Sequence, residues 1–196
     1  MTRTTTRRKR EMNHFLTDNR RLFPFAGLFL LGVVVGVAVY LTAGDSAAAA
    51  VSDALTPNQV GWSAALWDSL FAPLTMLAAL YLLGLWGCGV PFILAVPLIH
   101  GLGLGLTEAH YYAAGTDGVM TVVTRIMPVG LLTGALLTMA GAESLRLSVA
   151  VSRLLIPDGA QSVAKNGFRL YSIRFALFLG VAVVIALLDT GLRVIT

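Results

Sequence analysis

Residues 66–106 read LWDSLFAPLTMLAALYLLGLWGCGVPFILAVPLIHGLGLGL, an apolar stretch whose one formal charge is Asp68. A bilayer hydrocarbon core takes about 20 helical residues per crossing. The stretch is therefore too long for one span and the right length for two, a helical hairpin in lipid that turns near residues 84–91. Its first arm covers 68–84 and its second 91–110, with Gly87, Cys88 and Gly89 in the turn. In the second arm Pro91 and Pro97 precede Gly101, Gly103 and Gly105. That pattern predicts a helix that is bent, broken or closely packed by neighbours. No strand precedes these glycines, so they do not form a nucleotide loop.

The rest of the composition agrees with lipid as the solvent. Of 196 residues 57% are hydrophobic and 12% charged, too little polar material to coat a water-soluble globule. The lone cysteine, Cys88, excludes an internal disulfide and a cysteine-based metal site. The net charge of +4 sits in two basic blocks beside apolar spans, which is a pattern of orientation signals. No basic and aromatic residues interleave on a soluble domain, so nucleic acid is not an expected partner.

Working outward from the hairpin, residues 1–22 form a basic cytoplasmic segment with seven Lys/Arg against Glu11 and Asp18. The following run, 23–43, is longer than a signal-peptide core and reads as a retained first span. Residues 44–65 carry Asp45 and Asp53, no Lys or Arg, a Pro57-Asn58 turn and Trp62, with Trp67 just beyond. They are expected outside, with the tryptophans at the interface. The loop 111–118 also lacks Lys and Arg. A fourth span covers 119–142, a basic cytoplasmic loop 143–174, where Pro157-Asp158-Gly159 is a break, and a fifth span 175–192.

Both basic blocks face the cytoplasm only if an even number of crossings separates them, and four apolar runs do. The expected fold is an all-α, multi-pass protein of the cell membrane with five transmembrane helices in one domain, 23–192, its N-terminus inside and C-terminus outside. Gly32 and Gly36 in span one, Gly101 and Gly105 in span three, and Gly130 and Gly134 in span four are expected helix-packing positions. The pairs in spans one and four permit self-association without requiring it.

Charges at membrane depth gather toward the outer side: Asp68, Glu108, Arg125 and Asp189. An intramembrane arginine calls for an opposite charge or a wet cavity. Arg125 is expected either to pair with Glu108 or Asp68 in a polar cluster where a partner docks, or to snorkel to the headgroups with the acids as ordinary helix-end residues. His100 reads as hydrogen-bonded packing before a proton relay. His110 and Glu108, two apart on a helix, do not make a metal site. No catalytic triad spacing, H-E-x-x-H or G-x-S-x-G occurs, so catalytic residues, cofactor and metal are all expected to be none, and the protein no enzyme.

The order of features resembles the stage II sporulation protein M family. The resemblance covers most of the chain from about residue 22 and is carried by LLGLWGCGVPFIL, HGLGLGLTEAHYY and IMPVGLLTGALLTMAGAESLRLS. Its most specific pieces are Gly84 to Pro91, Gly101 to Gly105, and Met127-Pro128 followed by Ala140-Gly141-Ala142. Many relatives place a polar residue and a second proline where this chain has Val129, Gly130 and Leu131. Two memberships stay open on that departure: the sporulation protein itself, or the broader family.

The resemblance implies a non-catalytic membrane scaffold that anchors and localises two peptidoglycan-degrading partners, stage II sporulation proteins D and P, during engulfment. The alternative is a small transporter-associated or permease-like subunit. A through-path would need polar residues continuing to the inner leaflet, and the inner halves of spans two and four read as nearly all aliphatic.

Overall fold

The computed structural model describes residues 22–44, 46, 48–51, 61–86, 89–154 and 161–195, with side chains in that set except 153–154, 161–167 and 194–195. The basic segment up to Arg21, Asp45 and Asp53, the Pro57-Asn58 turn, Cys88 in the hairpin turn and the Pro157-Asp158-Gly159 break lie outside the described residues.

The helices whose bounds lie within the described residues are, in chain order, α1 (Leu22–Ala43), α2 (Trp62–Leu85), α3 (Val90–Ala113), α4 (Thr116–Thr121), α5 (Met127–Leu154) and α6 (Gln161–Ile195). A π-helical turn, Val122–Ile126, joins α4 to α5. Among the described residues five spans are long and apolar enough to cross a membrane: α1, α2, α3, the continuous Thr116–Ser152 and Phe168–Arg193. Among the described residues there is no strand.

Local chemistry explains the joints. Pro91 sits at the start of α3, where its missing N–H breaks no helical bond. Gly115, at φ 90°, makes the reversal from α3 into α4, a backbone conformation that side-chain-bearing residues rarely adopt. Pro128 has no N–H for the Thr124 carbonyl, and its ring would crowd that oxygen in a regular α-helix. The chain widens there instead, and the Met127 N–H reaches Val122 O across a π turn.

The glycine-rich part of α3 is closely packed and unbroken. Gly101 and Gly105 face Gly32 and Gly36 of α1 so tightly that a Cβ on any of the four would overlap backbone of the other helix: Phe29 O, Val33 O, Leu98 O or Leu102 O. Gly103, two residues from each neighbour, points the other way into open space. The Gly-x-x-x-Gly pair of α1 is thus used inside the chain, and is not free for self-association. Gly130 and Gly134 of α5 admit a Leu104 side chain and the ring of Phe29, and Gly141 admits the ring of Phe25.

α5 is the central helix. It packs against α1, α2, α3 and α6, with α1 paired to α3 on one side and α2 to α6 on the other. The buried core runs along it as Leu136, Leu137 and Ala140, met by Phe25, Leu77, Leu80, Ile93 and Phe175. Outward faces carry exposed Leu30, Val34, Phe92, Leu177 and Val184, as a lipid-solvated bundle requires. Phe25 seats on Gly141 near Glu143, whereas Arg193 lies beside Asp68 at the start of α2. The two ends of the described bundle, Leu22 and Ile195, therefore lie at opposite ends of it.

One boundary differs from the sequence expectation. α5 runs on to Leu154 and α6 begins at Gln161, so helix occupies most of the segment assigned to a basic loop, 143–174. Charge ends a membrane helix only where it goes uncompensated, and Glu143 here binds both Arg146 and Arg174.

Candidate functional site

The most connected polar group at membrane depth is Asp189, in the last turns of α6. Its Oδ2 accepts from Ser69 Oγ at 2.6 Å and from Arg193 Nε at 3.1 Å, and its Oδ1 accepts from Arg125 Nε at 3.1 Å. Arg193 extends the chain by donating Nη1 to Asp68 Oδ2 at 3.0 Å. Three elements converge: α2 brings Asp68 and Ser69 on its second turn, α6 brings Asp189 and Arg193 at i,i+4 spacing, and the π turn brings Arg125. Two guanidinium groups and two carboxylates cancel, which is how ionised groups persist beside hydrocarbon. The Asp189 side chain is 11% exposed and that of Asp68 69%, so the network runs from a sheltered centre to an open rim.

The sequence singled out Asp68, Glu108, Arg125 and Asp189. Three of them meet here, and the pairing differs from the expected one. Arg125 binds Asp189, neither Glu108 nor Asp68, because the π turn packs against α6. Among the described residues Asp68 joins through Arg193, just past the end of the expected fifth span. The Glu108 side chain, on α3, makes no hydrogen bond or ion pair among the described residues. The i,i+4 spacing of Asp189 and Arg193 was the available signal for the missing member.

The family model for Stage II sporulation protein M matches residues 25–188. The chain belongs to this family. Comparisons with curated proteins and with solved structures give no match. Together with five apolar helices, membership makes it a sporulation-family membrane protein. The matched interval contains Asp68, Ser69 and Arg125, and Asp189 follows it directly.

A second polar network in this family member sits at the opposite end of the bundle. Glu143 of α5 accepts from Arg146 Nη1 at 2.8 Å and from Arg174 Nη1 at 2.6 Å, the latter reaching across from α6. Deeper, the buried Tyr171 hydroxyl donates to Tyr81 O at 3.0 Å and lies 3.3 Å from Ser144 Oγ, while its ring stacks on Tyr81 at 5.2 Å. Ser148 donates to Trp86 O at 2.7 Å, tying α5 to the end of α2. The expectation of a nearly all-aliphatic inner half for spans two and four is corrected by Tyr81, Glu143, Ser144 and Ser148. It failed because span four was ended at Ala142, one residue before the polar face begins.

The two networks do not join along α6. Between Arg174 and Asp189 that helix reads FALFLGVAVVIALL, and at about 1.5 Å per residue this puts about 20 Å of apolar helix between them. The two described histidines, His100 and His110, pack. His100 stacks on Phe29 at 5.8 Å with Nε2 3.5 Å from Gly130 O, and His110 Nδ1 lies 3.5 Å from the Tyr40 hydroxyl.

Proposed function

We propose that the chain is a non-catalytic scaffold that anchors and localises a peptidoglycan-degrading complex at the outer face of the membrane during engulfment. The observation that carries this reading is the Arg125, Asp189, Arg193, Asp68 relay. It fixes α2, α6 and the π turn to one another and leaves the Asp68 carboxylate open at the rim. A rigid end with an exposed charge suits docking. Asp189 is held by three donors, two of them guanidinium groups, which suits a carboxylate that joins helices.

Family membership supports the sporulation setting, and stage II sporulation proteins D and P are the partners the resemblance implies. The distribution of Lys and Arg supports placing the Asp189 end outside. A transporter-like role is the weaker reading, since apolar α6 separates the two polar ends. Crosslinking with mass spectrometry in native membranes of engulfing cells tests the proposal. Hydrolase crosslinks at residues 44–67 that fall in Asp68→Lys are the expected result. Recovery of a transport ATPase or permease in their place would overturn it.

A further inference from the structure

We propose that Glu108 anchors an intramembrane notch in which a partner's transmembrane helix docks through a Lys or Arg side chain. The notch follows from how the helices diverge. α1 packs along α3 and against α5, but against neither the π turn nor α4, whereas α3 touches all four. α1 and the π turn therefore stand apart at the end of the bundle that carries Asp189, with α3 between them as a floor. Helical geometry puts Glu108 on that floor. Gly101 and Gly105 face α1, and Leu104 meets Gly130 of α5. At about 3.6 residues per turn Glu108, seven beyond Gly101 and four beyond Leu104, falls between those two directions. It is half-buried, and its side chain makes no hydrogen bond or ion pair among the described residues. The described cations at this end, Arg125 and Arg193, bind Asp189 and Asp68 instead. A carboxylate within a span is costly until a counter-charge arrives.

Depth and surroundings select the occupant. Glu108 lies five residues before the end of α3 at Ala113, about 8 Å along the helix axis. The α1 side offers no polar side chain at this level, since residues 33–39 read VVVGVAV. A cation reaching that depth has to travel with an apolar body, and the long stem of Lys or Arg on a membrane helix supplies one. The ammonium of a lipid stays with the headgroups, further out. The inference deepens the scaffold reading, on which it rests for the existence of a partner, by naming the chemistry that the partner brings into the membrane.

The test uses the full chain in detergent micelles titrated with a designed single-span helix of leucine and alanine, with bound helix read by native mass spectrometry. The helix carries one lysine about 8 Å from one end, or a glutamine at the same position. The lysine helix should bind about fivefold more tightly than the glutamine helix. Glu108→Gln, which breaks no side-chain bond among the described residues, should remove that preference. Asp117→Asn takes an equal charge from an exposed site at the same end and should leave it intact, as should added phosphatidylethanolamine. Equal binding of the two helices, equal losses in the two variants, or a preference abolished by phosphatidylethanolamine would each overturn the proposal. The two helices are compared on the native chain, so the comparison decides even if Glu108→Gln does not fold. Equal binding alongside hydrolase crosslinks at residues 44–67 would strike the notch and leave the scaffold reading standing, whereas a lysine preference without those crosslinks would do the reverse.

Discussion

Arg125 and Asp189 lie 64 positions apart in the chain and meet Nε to Oδ1 at 3.1 Å, joining the π turn to the last turns of α6. The contact exists because Pro128 forces the wide turn that carries Arg125, and because α6 packs beside α2, so that Ser69 and Arg193 complete the same carboxylate.

Removing one member of this set strands its partners. Asp189→Asn leaves two guanidinium groups without their shared anion at the edge of the hydrocarbon, and a broken sheltered pair costs about 3 kcal/mol. Thermal unfolding in detergent should show a large drop for Asp189→Asn, a comparable one for Arg125→Leu, and a double variant, Arg125→Leu with Asp189→Leu, that recovers part of the loss. Asp68→Asn should cost less than about 1 kcal/mol, because that carboxylate is mostly exposed.

The glycines of α3 give a contrast within five residues. Gly101→Ala pushes a methyl into the backbone of α1 at Phe29 and should lower the unfolding temperature sharply, since backbone cannot step aside. Gly103→Ala meets nothing and should be neutral or stabilising by up to about 1 kcal/mol, the usual gain of alanine over glycine in a helix. If both variants melt alike, the close approach of α1 and α3 does not hold.

That contrast also marks what the sequence makes legible. Five spans, the hairpin of α2 and α3, and the glycine positions could be read because apolar length and small-residue spacing are properties of single helices. Which helices touch was not legible. Asp68, Arg125 and Asp189 were visible as charges at similar depth, but their wiring depends on α6 lying beside α2, and no periodicity within one helix encodes its neighbour. Glu143 was hidden for a related reason: hydropathy ends a span at the first charge, whereas Arg174, distant in sequence, neutralises that charge and lets helix continue.

The Tyr171 hydroxyl offers a finer test of the second network. It is buried and serves Tyr81 O, Leu80 O and Ser144 Oγ. Tyr171→Phe keeps the ring stacked on Tyr81 and removes only the oxygen, and Ser144 retains its bond to Ala140 O. The expected loss is about 1 kcal/mol, the net value of one hydrogen bond, read as a modest shift in unfolding temperature. Tyr171→Ala removes the aromatic contacts with Tyr81 and Phe175 as well and should cost about 3 kcal/mol or more.

Sidedness is decided by charge outside the hydrocarbon, so it can be tested apart from packing. Lys and Arg resist translocation, and they crowd toward the Glu143 end of the bundle and the N-terminal segment. Thr116, exposed at the turn into α4, belongs to the end that carries Asp189, while Trp86 belongs to the other. In a Cys88→Ala background, Thr116→Cys should react with an impermeant maleimide added to intact protoplasts. Trp86→Cys should react only after lysis. The reverse pattern would put Asp68 on the cytoplasmic side, away from any cell-wall hydrolase, and would remove the docking face on which the scaffold proposal rests.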